Sequence, residues 1–289
     1  MFSITFLGTS ASAPTPERGL PSIALNYEGN LFLFDCGEGT QRQMMKYKIG
    51  YGSIGAIFIS HSHLDHYLGI YGLIETLNLS SPSPKPIKLF ANELMESKSL
   101  SKRKFVDRLN IKKGKIYRGK NFTITAFPVT HTEDSFGFIF QEDDKIKFHE
   151  EKAKGMGIQG IMFSEIQKKG YVIIKKKRIK LSDVSWKKPG RKLVYTGDTA
   201  ICKEVLKAAK DADLLIHEAT FDESRKEEAT ERMHSTAKDV AELAKKANVK
   251  VLMLTHISPR YSDVSSLLNE AKPIFENVLI AKDGMKFDL

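Results

Sequence analysis

Long apolar runs are missing from this chain, and a membrane-spanning helix needs about 20 consecutive apolar residues. Cysteine is scarce. Cys36 and Cys202 are the only two in 289 residues, too few for a disulfide framework, so both are expected as packed thiols in a reducing compartment. No basic leader with an apolar stretch opens the chain, which begins as an alternating strand, Phe2-Ser-Ile-Thr-Phe-Leu7. A cytoplasmic protein with no membrane partner is the expectation. No repeat is visible, and 41% hydrophobic content suits one large domain, residues 1–289, with a full core.

Acid is the charge in short supply, 35 residues against 45 Lys and Arg, and the excess of +10 is segregated. Lys98 to Lys120 holds ten bases against one acid, and Lys145 to Lys192 holds fifteen against four, so these two segments carry +20 and the rest −10. The first reads as a helix and turn, either a plain solvated face or a binding surface. The second lies between two strands, contains Gly155-Met-Gly-Ile-Gln-Gly160 and the run Lys175, Lys176, Lys177, Arg178, and has no place in the strand order. A basic, glycine-punctuated excursion suits a polyanion such as RNA or DNA.

Metal-ligand side chains are abundant. His61, His63, Asp65 and His66 fall within six residues, in SHSHLDH, directly after the apolar run Gly55-Ala-Ile-Phe-Ile-Ser60. Zinc takes neutral imidazole and carboxylate ligands; two histidines at i, i+2 can face one ion while the next Asp and His face a second. Three more candidates each follow a strand-like run: His131 after Phe122 to Val129, Asp198 after Lys192 to Thr196, and His256 after Lys250 to Thr255. Ligands at the ends of rigid strands converge without an ordered loop.

Strands near Phe2, Ser22, Leu31 and Ile54 precede an apolar-periodic helix, Tyr67 to Leu79, ended by the proline-rich loop Ser80 to Pro86, and a strand at Ile87. Strands at Phe122 and Phe136 lead to a second half: a strand at Leu193, a helix near Glu204 to Lys210, a strand Leu214 to His217, a helix Thr236 to Asn248 and a strand at Val251. This α/β order predicts two facing sheets with helices outside, every ligand-bearing strand end opening on one edge.

The zinc loop, the spaced His131, Asp198 and His256, and the strings DCGEGTQRQM (Asp35 to Met44), HEAT (His217 to Thr220), HST (His234 to Thr236) and THISPRY (Thr255 to Tyr261) resemble tRNase Z, the short form of ribonuclease Z. The resemblance spans nearly the whole chain. It implies a metallo-β-lactamase fold, a four-layer αββα sandwich with an inserted protruding arm, here residues 145–178, that grips the tRNA. It also implies a homodimeric endoribonuclease that removes the 3′ trailer from precursor tRNA, leaving a tRNA 3′-hydroxyl and a 5′-phosphate on the trailer. Leu64 stands where this family's zinc loop usually has glycine, and no proline punctuates Gly155 to Gly160.

On this resemblance His61, His63 and His131 hold one zinc, Asp65, His66 and His256 the other, and Asp198 bridges them, with manganese as an alternative metal. Asp65 orients the nucleophile or takes its proton, and His234, held by Glu218, protonates the leaving oxygen. Arg260 and Arg18 are candidate substrate contacts with Lys175, Lys176, Lys177 and Arg178. The residues by themselves leave Glu218 and His234 open as a surface ion pair and Arg260 open as a structural salt bridge. His217 reads as packing. The same fold also serves small-molecule phosphodiesterases and other hydrolases, iron oxidoreductases, and nucleic-acid-binding proteins with a vestigial site. Seven ligands exceed a mononuclear iron set, and no ligand is missing.

Overall fold

The structure, a computed structural model, describes residues 2–92, 100 and 103–289, which cluster into two compact units. The larger unit comprises residues 1–119, 123–140 and 192–289, and the smaller comprises 120–122 and 141–191. No helix among the described residues is long and apolar enough to cross a membrane.

Two seven-stranded sheets build the larger unit. The first runs, in spatial order, Lys286–Asp288, Phe2–Gly8, Ser22–Tyr27, Asn30–Phe34, Ile54–Phe58, Ile87–Ala91 and Val106–Asn110. In the second the order is Val278–Ile280, Val251–Thr255, Leu214–Glu218, Lys192–Tyr195, Phe136–Glu142, Phe122–Pro128 and Gly114–Arg118. Aromatic side chains join their inner faces: Phe34 and Phe58 each lie 5.7 Å from Phe138, and Phe2 lies 5.0 Å from Phe140. Each such fully buried ring contributes roughly 1.5–3 kcal/mol.

Helices close both outer faces, completing the four-layer αββα sandwich of the metallo-β-lactamase fold. Leu33, Ile57 and Leu89 pack with Met44 of Thr40–Lys46 and with Ile70, Leu73 and Ile74 of Gly69–Ser80. On the other side Leu215, Leu252 and Leu254 pack with Val205, Val240, Ala241 and Leu267 from three helices. The alanine spacing of Ala237–Lys246 gives that helix a small-residue face, and the Thr236 side chain caps it by accepting from the Asp239 amide at 3.2 Å.

Two expectations change. The helix expected from Tyr67 begins earlier, as Leu64–Tyr67 continued by Gly69–Ser80, and Leu64 has an ordinary helical backbone there, so glycine is not required. Of the basic stretch Lys98 to Lys120, Leu100 lies in a helix and Lys104 and Phe105 in a turn, as expected, but the described part beyond them forms two strands, Val106–Asn110 and Gly114–Arg118, at the outer edges of the two sheets. Lys98 and Lys102 fall outside the described residues. The charges suit an edge, where exposed Asp107, Lys115 and Arg118 discourage pairing with another chain.

The smaller unit has a core of its own in Ala153, Ile158, Ile166, Val172 and Val184. Around it lie the helices Glu150–Gly155, Met162–Lys169 and Leu181–Val184 and two antiparallel ribbons, Lys145–Phe148 with Ser185–Lys188 and Tyr171–Ile174 with Lys177–Lys180. Glu142 and Arg191 clamp its ends. The Arg191 Nε and Nη2 donate to the Glu142 carboxylate at 2.7 and 2.8 Å, and the Glu142 amide donates to the Arg191 carbonyl.

Candidate active site

Strand ends carry the chemistry into one cluster. Ile54–Phe58 runs into the loop with His61, His63, Asp65 and His66, Phe122–Pro128 precedes His131, Lys192–Tyr195 precedes Asp198, and Val251–Thr255 precedes His256. Their ligand atoms fall into two groups, each within 4.8 Å: His61, His63, His131 and Asp198, and Asp65, His66 and His256. Asp198 Oδ2 stands between them, 3.8 and 3.9 Å from His61 and His131 Nε2 and 3.3 and 3.2 Å from His66 and His256 Nε2.

Close backbone approach makes this loop possible. The Cys36 amide donates to the His66 carbonyl at 2.7 Å and the Gly69 amide to the Cys36 carbonyl at 2.9 Å. A Cβ on Gly69 would sit 1.9 Å from the Gly37 carbonyl oxygen, and one on Gly37 would sit 2.4 Å from that of Asp65. The glycine of the DCGEG string is therefore a packing requirement of the ligand loop.

Outer hydrogen bonds aim the rings inward. His66 Nδ1 donates to Asp35 Oδ2 at 2.8 Å, His61 Nδ1 to Ser60 Oγ at 2.9 Å, His256 Nδ1 to Thr220 Oγ1 at 2.9 Å and His131 Nδ1 to the Met233 carbonyl at 3.1 Å. That assignment leaves each inner Nε2 as a lone pair. Asp35 also accepts from the Ser60 amide and hydroxyl and from the Tyr195 hydroxyl at 2.6 Å. Its φ of 57° and that of His256, 56°, are left-handed conformations that cost about 1–3 kcal/mol each and persist only where many contacts hold them.

The donor set fits a divalent metal. Inner ring nitrogens face one another, His61 Nε2 to His63 Nδ1 at 3.0 Å, His63 Nδ1 to His131 Nε2 at 3.2 Å and His66 Nε2 to His256 Nε2 at 3.4 Å, and buried Asp198 Oδ1 has no hydrogen-bond partner. Lone pairs crowded around a buried carboxylate are costly without a cation. Burial and the neighbouring imidazoles hold His61 well below the usual histidine range. Burial works against the charge on Asp198, yet His256, His66 and His61 outweigh it and keep that carboxyl well below its ordinary value.

Beside the cluster, His234 Nδ1 donates to Glu218 Oε1 at 2.8 Å. Glu218, wholly buried, also accepts from the amides of Thr199, Thr220 and Ser235 and from the Thr220 hydroxyl. Burial pushes the Glu218 acid up, and His234 pulls it below the ordinary range. His234 responds in kind: burial opposes its charge, but Glu218 raises it to about 9. Glu218 is buried and His234 half-buried, so the pair is not the exposed ion pair that the residues alone left open.

Other candidates lie apart from the cluster's hydrogen bonds. Arg18 Nη1 donates to Thr9 Oγ1 at 2.6 Å and to the Ala281 carbonyl at 2.8 Å. Arg260 holds Glu228 with Nη1 at 2.8 Å and Nη2 at 3.2 Å. Lys175 and Lys176, with φ of 47° and 64°, form the two-residue turn of the ribbon Tyr171–Ile174 with Lys177–Lys180, in the smaller unit. His217 is fully buried, its Nδ1 against the Glu218 carbonyl. Asp35, Ser60, Thr220 and Tyr195 had no assigned role from sequence; the one signal was an acid after a strand and just before a glycine loop.

The family model described as Anti-Pycsar protein Apyc1 matches residues 2–273. Ribonuclease Z of Archaeoglobus fulgidus is 43% identical over 302 residues, covering 100% of this chain and 98% of that protein. That of Methanosarcina acetivorans is 41% identical over 301 residues, with 100% and 98% covered. The crystal structure of human tRNase Z, short form, matches with a TM-score of 0.70 at 28% identity over 99% of this chain and 98% of that one. The metallo-β-lactamase fold protein YhfI of Bacillus subtilis shares the fold, with a TM-score of 0.74 at 18% identity over the whole of both chains. With its metal-binding cluster at the strand ends of that fold, and with these relatives along its full length, the chain belongs to the ribonuclease Z family and is a metal-dependent phosphodiester hydrolase, covered as well by the Apyc1 family model.

Proposed function

We propose that this protein is the endoribonuclease that removes the 3′ trailer from precursor tRNA, leaving a tRNA 3′-hydroxyl and a trailer 5′-phosphate. The observation that carries the reading is the pair of buried Glu218 and half-buried His234 set against a cluster of seven potential ligands. His61, His63 and His131 would hold one zinc ion, Asp65, His66 and His256 a second, and Asp198 both. When bound, such ions supply Lewis acidity, lowering the pKa of water towards 7 and screening charge on the phosphate.

The protein's own groups do the rest. Asp65, whose Oδ2 accepts the Ser12 amide at 2.9 Å, is fixed to orient the attacking water or accept its proton. Glu218 occupies His234 Nδ1, so the proton on Nε2 is the one available to the departing 3′ oxygen. His234 lies 4.8 Å, ring to ring, from His131 and 5.6 Å from His256, at the margin of the cluster. Lysines and Arg178 of the smaller unit bind the RNA backbone as an arm. A cytoplasmic homodimer completes this reading.

The decisive test offers the purified, metal-loaded protein a 3′-extended tRNA and bis(p-nitrophenyl) phosphate, and maps the new RNA ends. Cleavage at the tRNA–trailer junction with far higher kcat/KM than for the small ester is expected. Turnover of the small ester with no RNA cleavage would overturn the reading in favour of a small-molecule phosphodiesterase.

A further inference from the structure

Trp186 is the chain's only tryptophan, and it is 44% exposed in a ribbon that has an apolar core available beside it. Register explains the placement. In the pairing of Lys145–Phe148 with Ser185–Lys188, Trp186 faces Lys147 and Lys188 faces Lys145, and alternation along each strand puts these four side chains on one face. Phe148 turns the other way, packing towards the smaller unit's core. Lys145 Nζ lies 3.8 Å from Glu142, whereas Lys147 and Lys188 have no ion-pair partner among the described residues.

The second ribbon is a useful contrast. There Tyr171 also faces outward, but the Arg178 guanidinium sits 3.9 Å over its ring and occupies that face. The Trp186 indole has no hydrogen-bond, ring or cation partner among the described residues. An uncovered indole between free ammonium groups matches single-stranded nucleic acid, in which bases stack on aromatics while phosphates meet lysines. A paired base inside a duplex offers no open face.

We propose that Trp186 is a stacking position for an unpaired nucleobase of the RNA substrate, with Lys147 and Lys188 holding the flanking phosphates. This rests on the reading of the protein as a tRNA 3′ endonuclease. Indole emission, excited at wavelengths where the tyrosines do not absorb, reports Trp186 alone, so it is titrated with 3′-extended tRNA and with a blunt RNA duplex in the metal-loaded His234→Ala protein, while anisotropy of labelled RNA measures binding separately. Emission should be quenched by the tRNA with the same midpoint as anisotropy and left unchanged by the duplex.

Trp186→Ala, with His234 intact, should weaken tRNA binding roughly five- to hundredfold. Trp186→Phe should restore most of it, which mere collapse of the ribbon would not mimic, and hydrolysis of bis(p-nitrophenyl) phosphate should hold at the wild-type rate. Emission unmoved by saturating tRNA, equal affinity in the Ala variant, or emission that tracks protein concentration without RNA, marking an interface between copies, would each overturn the proposal. Wild-type protein that binds no tRNA would instead sink the endonuclease reading itself.

Discussion

Glu218 and His234 are expected to fail as a unit. Replacing His234 by Ala removes the proposed proton donor, and general acid help of about a hundredfold corresponds to roughly 2.7 kcal/mol of barrier. Glu218→Gln keeps an acceptor for some of the backbone amides that converge on this carboxylate, but loses the charge opposite His234 Nδ1. A hydrogen bond to a charged group is worth about 1.5–3 kcal/mol, so a slowing of roughly tenfold or more is expected. Once His234 is gone, Glu218 has nothing to polarise, and the double variant should be about as slow as His234→Ala alone. The assay is single-turnover cleavage of 3′-extended tRNA, with elemental analysis of each protein. Defects that multiply would refute the pairing. Metal loss in His234→Ala would refute the acid role in a different way, because His234 also lies within reach of Asp198 and His256 as a third ligand group.

Asp198→Ala should abolish cleavage and lower metal content to one ion or none, since Oδ2 reaches towards both histidine groups; elemental analysis showing two retained ions would remove Asp198 from its bridging role. Asp35→Asn, which meets the ligand side chains directly only at the outer His66 Nδ1, should weaken metal affinity about 10–100-fold in a chelator competition, and unchanged affinity would mean that His66 needs no outer partner. Neutralising Lys175, Lys176, Lys177 and Arg178 should weaken tRNA binding and flatten its salt dependence by about one released counterion for each phosphate left unneutralised, with small-ester hydrolysis unchanged. Deleting residues 150–169 is a poorer probe of the same idea, because it removes Ala153, Ile158 and Ile166 from the smaller unit's core.

The ligand-bearing strand ends were legible because apolar runs such as Val251 to Thr255 stop at a histidine or aspartate, a local pattern. Asp35 was not, since its role depends on His66, 31 residues away, and Tyr195, 160 away. Lys98 to Lys120 misled for a related reason: Val106, Leu109, Ile116 and Tyr117 are only partly buried at sheet edges, so the charged majority obscured their strand character. Arg18 and Arg260 were visible as cations, but only tertiary contacts reveal that Thr9, Ala281 and Glu228 already engage them.

The Glu142–Arg191 clamp has an evolutionary consequence. The 48 residues it encloses leave from Phe136–Glu142 and return at Lys192–Tyr195, strands that are neighbours in the second sheet. Because the exit and return points are tied together, lengthening or shortening the segment between them adds little closure entropy, each doubling costing only about 0.6 kcal/mol. His131 before the first of those strands and Asp198 after the second are insulated from such changes. On the proposed reading of this segment as the RNA-binding arm, recognition can diversify as an interchangeable module, drifting in length and sequence under selection for new RNA shapes, while the hydrolytic machinery is inherited unaltered.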